Sequence, residues 1–404
     1  MSLSWFKNLK YQNLRDFMTL ITTNDALKAY CATLTDCPYI TVDTEFMRER
    51  TYYAKLCLLQ ISGPDKEAVG VDVLAGDEEL DLTPVWNLFA NKNIVKVFHA
   101  ARQDLEIIYQ LSGTLPAPLF DTQIAAMVCG YGDQVGYEAL VNDICKAKAD
   151  KSSQFTDWTH RPLSQKQITY ALNDVIFLKD IYENLKNRLD KKGRSDWVLE
   201  ETQNLLDPTL YQFPPRDAWQ RLKLRSPKPR DLAVLRELAQ WREEESQKKD
   251  VPRGRILKDE TLLDLTYQKP RTESDLARIR GVSADMSKGK FGKLILDAME
   301  RGLAVPDADC PIVIARDPLP QRLSPILEML KMLLRIQASE HDVAGRLITD
   351  SETLENFVKD PSSSPTLIQG WRYDVFGKFA KEMMDGKIGL SIENGKIKRL
   401  KLQD

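Results

Sequence analysis

Short β-branched runs alternate with helix-period segments through the first half of this chain, and strand patterns almost vanish after about residue 190. That break constrains the fold more than any other feature. Tyr39-Ile40-Thr41-Val42, Leu56 to Ile61, Val69 to Val73 and Ile94 to Phe98 read as strands, and the run from Met18 to Thr22 reads as a first strand. Helical candidates fall between or after them: Asn24 to Leu34, Pro84 to Ala90, Arg102 to Leu111, Thr122 to Val128, Tyr137 to Lys146 and Ser164 to Leu189. The order implies an α/β domain with a mixed sheet covered by helices. Pro208, Pro214, Pro215, Pro227 and Pro229 then punctuate a connecting segment. Asp231 to Gln247 is a helix carrying Leu232, Leu235, Leu238 and Ala239 on one face, and helical pattern continues to Met299. A stretch rich in Pro and Asp, Ala304 to Pro320, precedes a further helical unit, Leu323 to Met384. The basic tail reads as a hairpin: Ile388 to Ile392, a turn at Glu393-Asn394-Gly395, then Ile397 to Leu402.

The 404 residues accommodate two or three domains at about 150 residues each. The pattern divides them into an extension (1–17), an α/β domain (18–200) and two helical units (201–303 and 304–404). A net charge of -2 excludes a protein that is basic all over, but not a basic patch on one domain. Cys31, Cys37, Cys57, Cys129, Cys145 and Cys310 form no CxxC pair and sit mostly among apolar residues. They read as reduced core cysteines of a cytoplasmic protein, neither a disulfide frame nor a zinc site. No stretch approaches the roughly 18 apolar residues of a membrane span, and residues 1–17 lack the apolar run of a secretory signal.

Within Thr41-Val42-Asp43-Thr44-Glu45-Phe46, strand alternation puts Asp43 and Glu45 on one face. The spacing alone is uninformative, since it recurs at Asp65–Glu67, Asp77–Glu79 and Asp350–Glu352. Context separates Asp43: it is expected to end an apolar strand inside a sheet, where uncompensated acids are costly. The competing reading is a strand end emerging into water. A second acid, Asp104, lies in the first turn of a helix that follows the strand ending at Phe98, where the helix dipole would favour it in any case. In Tyr170-Ala171-Leu172-Asn173-Asp174, four residues of helix bring Tyr170 and Asp174 to one face. Four carboxylates gathered without matched cations would repel and raise one another's pKa. A pair of hard divalent cations resolves that, and such a pair serves phosphodiester displacement.

These three segments, in this order, resemble the exonuclease motifs of the DEDD superfamily, tyrosine subgroup. Asp43-Thr44-Glu45-Phe46, Phe120-Asp121-Thr122-Gln123-Ile124-Ala125, the run from Thr156 to Leu163, and Tyr170 to Val175 resemble the RNase D family over residues 18–200. The resemblance implies an RNase H-like 3′-5′ exonuclease fold, with Asp43, Glu45, Asp104 and Asp174 as ligands of two Mg²⁺ or Mn²⁺ ions. It implies that Tyr170 positions the attacking water. It also implies that Thr44, Phe46, Met47, His99, Gln103 and Ile107 line a pocket for the terminal nucleotide. Phe46, Ile107 and His99 have core packing as the competing reading. Asp121 reads as an N-cap, and Asp157 and Arg161 as a structural tie. Where many relatives carry an Arg, this chain has Ser152-Ser153-Gln154-Phe155.

Residues 215–300 resemble an HRDC domain, through the segments Leu232 to Arg242, Val251 to Leu257 and Leu276 to Val282. Lys248, Lys249, Arg253, Arg255 and Lys258 suit phosphate contacts, with a solvated charged face as the alternative. Residues 320–390 resemble a second, HRDC-like unit, in which Trp371 and Tyr373 offer base stacking or, for Trp371, core packing. The resemblance implies a monomeric 3′→5′ exoribonuclease that releases 5′-mononucleotides from RNA with a single-stranded 3′ end. Transfer-RNA precursors are the expected substrates, and the helical units would clamp the RNA body. Two other readings stay open: a 3′→5′ DNA exonuclease sharing the carboxylate site, and a catalytically inactive RNA-binding scaffold.

Overall fold

The computed structural model describes residues 19–76, 78–150, 152–312 and 317–402. The expected extension (1–17), and Met18 with it, lies outside the described residues. Six strands form one mixed sheet: β1 (Thr19–Ile21), β2 (Tyr39–Met47), β3 (Lys55–Ser62), β4 (Val69–Val71), β5 (Val95–Phe98) and β6 (Leu119–Asp121). Their spatial order is β1-β4-β3-β2-β5-β6. β3 runs antiparallel to both neighbours, and the other pairings are parallel.

Two sequence expectations change here. β2 does not end at Asp43 but continues to Met47, pairing with β3 through a register shift between Glu45 and Phe46. Its acids therefore stand within a paired strand. β6 was not expected, because only three residues long, with Pro118 before it and Asp121 as its last residue, it carries no alternation to recognise.

One face of the sheet packs on α1 (Asn24–Ala32), α2 (Thr83–Ala90) and α3 (Arg102–Ser112) through Leu27, Ile40, Val42, Leu59, Ile61, Val85, Leu88, Leu105 and Ile108. α4 (Thr122–Val128) and the one-turn α5 (Tyr137–Leu140) follow β6, and α5 runs on into a π-helical turn at Val141–Cys145 where continuous α-helix was expected. The 28-residue α6 (Gln165–Lys192) crosses the opposite face over β2, β3, β4 and β5. A capping box starts it, the Ser164 and Gln167 side chains each bonding the other's backbone N–H, and Gly193 in the left-handed region ends it. Thr41 Oγ1 donates to the Val175 carbonyl at 2.8 Å, which fixes the height of α6 above β2.

α7 (Ser195–Leu205) leads out of this layer. α8 (Pro229–Lys249), α9 (Asp259–Gln268) and α10 (Lys290–Ala304) then enclose their own core around Leu235, Leu238, Trp241, Leu262, Leu276 and Ile295. α11 (Ser324–Glu340), α12 (Ser351–Lys359) and α13 (Lys378–Met384) enclose another around Leu330, Leu333, Phe357, Leu367, Trp371 and Phe376. The chain ends in the expected hairpin, β7 (Ile388–Glu393) and β8 (Lys396–Lys401), turning at Asn394 and Gly395, both at positive φ.

Polar clasps join the helical units to the α/β layer. Tyr52 donates to Glu243, and Arg253 holds the same carboxylate while its NH2 donates to Tyr52 Oη at 3.0 Å. Asp250 Oδ1 accepts from Tyr52 N and Tyr53 N at 3.1 and 3.0 Å. Arg253 therefore leaves the set expected to face phosphate, because its guanidinium is committed to the buried Glu243 and to the Tyr52 ring. Trp371 stacks on Trp197 with centroids 4.3 Å apart, which settles it as packing between units. All six cysteines are free thiols.

Candidate active site

Extended backbone through residues 43–45 turns Asp43 and Glu45 to the face beneath α6, and helical spacing brings Tyr170 and Asp174 down onto it. Asp43, Glu45 and Asp174 each offer an oxygen, and these oxygens all lie within 4.8 Å of one another. Asp104, on the first turn of α3, stands just outside that group. It is 7% exposed, and Thr44 Oγ1 donates to its Oδ1 at 2.5 Å, so one carboxylate oxygen is held by β2.

The turn that delivers α3 is built by Asp121. Ala100 has φ 56°, in the left-handed region that disfavours a Cβ. The Asp121 carboxylate accepts from the N–H groups of Ala100 and Ala101 at 3.1 and 2.8 Å, and caps α4 through Gln123 N and Ile124 N. The N-cap reading of Asp121 agrees with these bonds, which also tie the start of α3 to that of α4.

Burial, then neighbouring charge, governs protonation. Asp43 is driven well above the usual carboxylate range by desolvation, then by Asp104, Asp174 and Glu45. Glu45 is pushed up to about 9 by burial and by Asp174 and Asp104. Burial also raises Asp104 and Asp174 to about 7 each. Tyr170 is raised by burial, then by the charges of Asp174, Glu45 and Asp43, so its phenol stays neutral at working pH. Among the described residues no Lys or Arg pairs with any of the four acids. Such a set of hard oxygen donors, gathered without a cation, fits divalent ions.

A cavity of about 420 Å³ opens over this cluster, with Asp43, His99, Tyr137, Gln154, Tyr170 and Asp174 in its wall. The expected nucleotide-pocket residues divide. His99 lines the cavity, with Nδ1 3.0 Å from Thr122 Oγ1 and its ring against Tyr137. Thr44 is occupied with Asp104. Phe46 packs against the core, Met47 against the cluster around Trp158, and Gln103 is exposed on α3. Ile107 is 1% exposed within the core, leaving almost no surface for a ligand. Sequence reasoning missed Tyr137, whose hydroxyl donates to the Asp174 carbonyl. Its only prior signal was a loop holding Gly130, Gly132 and Gly136.

The expected tie at Asp157 and Arg161 takes another form. Arg161 pairs with the buried Asp72 through Nε and NH2 at 2.8 and 2.6 Å, and donates to the Cys57 and Trp158 carbonyls. Asp157 closes its own turn on Thr159.

A mixed sheet crossed by one long helix, with an acidic cluster between them, is the architecture of a 3′-5′ exonuclease. Residues 18–190 match the 3′-5′ exonuclease family and residues 231–299 the HRDC domain. The chain is 47% identical to ribonuclease D of a Jannaschia species over 94% of its own length and 98% of the relative's. It is 42% identical to ribonuclease D of Bartonella henselae over 96% of each. The crystal structure of Escherichia coli RNase D, described as an exoribonuclease involved in structured RNA processing, superposes with TM-score 0.78 at 26% identity, covering 91% of this chain and 98% of that one. The chain belongs to the ribonuclease D family and is an exoribonuclease, a superfamily activity that uses divalent metal.

Proposed function

We propose that the chain removes 5′-mononucleotides one at a time from single-stranded RNA 3′ ends, with transfer-RNA precursors as substrates, using two Mg²⁺ or Mn²⁺ ions held by Asp43, Glu45, Asp104 and Asp174. The observation that carries this reading is the gathering of Asp43, Glu45 and Asp174 oxygens within 4.8 Å, with no Lys or Arg among the described residues paired to them. When bound, the ions activate water and stabilise the leaving oxygen. The chain's own residues do the rest. Thr44 aims Asp104 by taking one of its oxygens. Tyr170, one helical turn from Asp174, orients the attacking water by hydrogen bonding through its hydroxyl. His99, from the cavity wall, contacts the terminal nucleotide, while Phe46 and Ile107 back the site from the core, Met47 backs it from the cluster around Trp158, and exposed Gln103 meets the RNA from the first turn of α3.

The same reading takes residues 18–200 as the catalytic domain, 201–303 as the first helical module and 304–404 as an HRDC-like second. It takes the protein as a cytoplasmic monomer; no described helix is long and apolar enough to cross a membrane. Lys248, Arg255 and Lys258 remain the residues for phosphate contact; Lys249, paired with Glu245 at 3.0 Å and set over the Phe291 ring, would have to give up those contacts to join them. Their sequence-independent grip suits the body of a structured RNA whose 3′ end must be single-stranded to enter the cavity.

The test is digestion of 5′-labelled RNA carrying a single-stranded 3′ tail, of matched DNA, and of a transfer-RNA precursor, each with Mg²⁺, with Mn²⁺ or with chelator. Stepwise shortening of RNA to mononucleotides, lost in chelator and in Asp43→Asn, is the expected result. Equal digestion of DNA would favour the deoxyribonuclease alternative, and tight RNA binding without cleavage under either metal would leave a scaffold.

A further inference from the structure

The segment entering α6 presents an aromatic ring to water beside the cavity. Ser153 to Thr156 forms a turn in which the Ser153 carbonyl accepts from Thr156 N at 3.2 Å and Thr156 Oγ1 at 2.8 Å. Gln167, in the first turn of α6, donates through Nε2 to Thr156 Oγ1 at 3.2 Å and to the Asp157 carbonyl at 3.4 Å. On either side, Ser153 and Trp158 are each 1% exposed, and Arg161 fastens the following residues to β3 and to Asp72. Between these anchors Gln154 forms part of the cavity wall, and Phe155 is 92% exposed, the most exposed large apolar side chain among the described residues.

Scattered apolar residues on a surface need no explanation, but this ring combines three features. Its backbone is held on both sides, which fixes where the ring leaves the chain. It is adjacent in sequence to a wall residue of the cleavage cavity. It carries no charge and no hydrogen-bonding group, so what it offers a nucleic acid is a face for stacking.

We propose that Phe155 is a base platform outside the cleavage cavity, stacking a base of the single-stranded 3′ tail upstream of the nucleotide being removed. Every base has a π-face, so the contact is indifferent to sequence, as an enzyme that shortens an end step by step requires. The proposal rests on the cavity being the cleavage site.

The test is a cycle on the full chain that crosses Phe155→Ala with RNA tails carrying one abasic nucleotide at successive positions from the 3′ end. Dissociation constants are measured in the Asp43→Asn background and KM and kcat in the active enzyme. Base–aromatic stacking makes the expected loss roughly 5- to 100-fold in affinity and KM, with a much smaller change in kcat. At one upstream position, removing the ring and removing the base together should cost no more than either alone. Phe155→Trp should restore binding, and Phe155→Leu, which is apolar without a π-face, should not.

Additive losses at every position would overturn the proposal, as would a leucine variant equal to wild type. So would a shift in oligomeric state on removing the ring, which would assign it to self-association. Wild-type protein that fails to degrade RNA would instead overturn the exonuclease reading, and binding in the Asp43→Asn background is measured separately from it.

Discussion

The four site acids make the stability of the metal-free protein fall as pH rises. An ordinary aspartate titrates near 3.8, whereas Asp104 and Asp174 are each held near 7 and Glu45 near 9. Between pH 5 and 7 the folded chain therefore keeps protons that the unfolded chain has released. With more protons on the native state, the stabilising contribution is fully present below the unfolded pKa and is lost as pH climbs through the folded values. A raise of about 3 pH units in one group corresponds to about 4 kcal/mol at about 1.4 kcal/mol per unit. Because the acids share one field, their contributions do not add. A net loss of roughly 2–4 kcal/mol between pH 5.5 and 7.5 is the expected scale. His99 and His341, lowered by burial, act with the opposite sign over the same window and reduce the slope. At about 2–4 °C per kcal/mol for a domain of this size, the unfolding transition of the catalytic layer should drop by about 4–16 °C across that range in chelator. Saturating Mn²⁺ should reverse the trend, because cations bind the deprotonated cluster and stabilise the folded state by mass action. Scanning calorimetry from pH 5 to 8, on wild type and Asp174→Asn, with chelator and with Mn²⁺, reads this directly. A melting temperature in chelator that rises with pH, or a slope unchanged by Asp174→Asn, would refute the electrostatic account of the site.

Tyr170→Phe, which removes one neutral hydroxyl, should lower kcat roughly 10- to 100-fold with little change in KM, the pattern for an interaction made chiefly in the transition state. Steady-state kinetics on an RNA oligomer check it. Glu243→Ala removes the buried carboxylate that Arg253 and Tyr52 share, and should destabilise the joint between catalytic and helical units by about 1–3 kcal/mol, because Arg253 is exposed enough to be hydrated. Limited proteolysis near residues 205–230 should accelerate accordingly, and an unchanged cutting rate would contradict the assigned clasp. Asp121→Ala removes the cap of α4 and the acceptor that holds Ala100 in its left-handed turn. It should cost about 1–2 kcal/mol as a cap alone. It should also weaken Mn²⁺ binding by displacing Asp104, measured by titration calorimetry.

Local pattern was enough for much of this architecture. Alternation placed β2, β3 and β5, helical spacing placed α6 and α8, and Asn394-Gly395 announced the terminal hairpin, because each signal is written in adjacent residues. The same spacing put Asp43 with Glu45 and Tyr170 with Asp174. Where local pattern was thin, the reading failed. β6 is three residues long and has meaning only as a partner of β5. β2 runs past Asp43 because β3 supplies the ladder opposite it, a pairing decided by residues 55–62. Arg253 looked like a free cation in a basic loop until the fold brought Glu243 and Tyr52 to it.

Adjacent residues carry the kinds of chemistry present: acids at strand and helix spacing, a tyrosine one turn from an aspartate, and two helical units without strands between them. Long-range packing is what brings oxygens of three carboxylates within 4.8 Å between β2 and α6, while Thr44 holds the fourth to one side. The difference is one of range. Helix and strand periods are set by neighbours a few residues apart, whereas a carboxylate's protonation depends on burial and on charges that arrive from more than a hundred residues away in the chain.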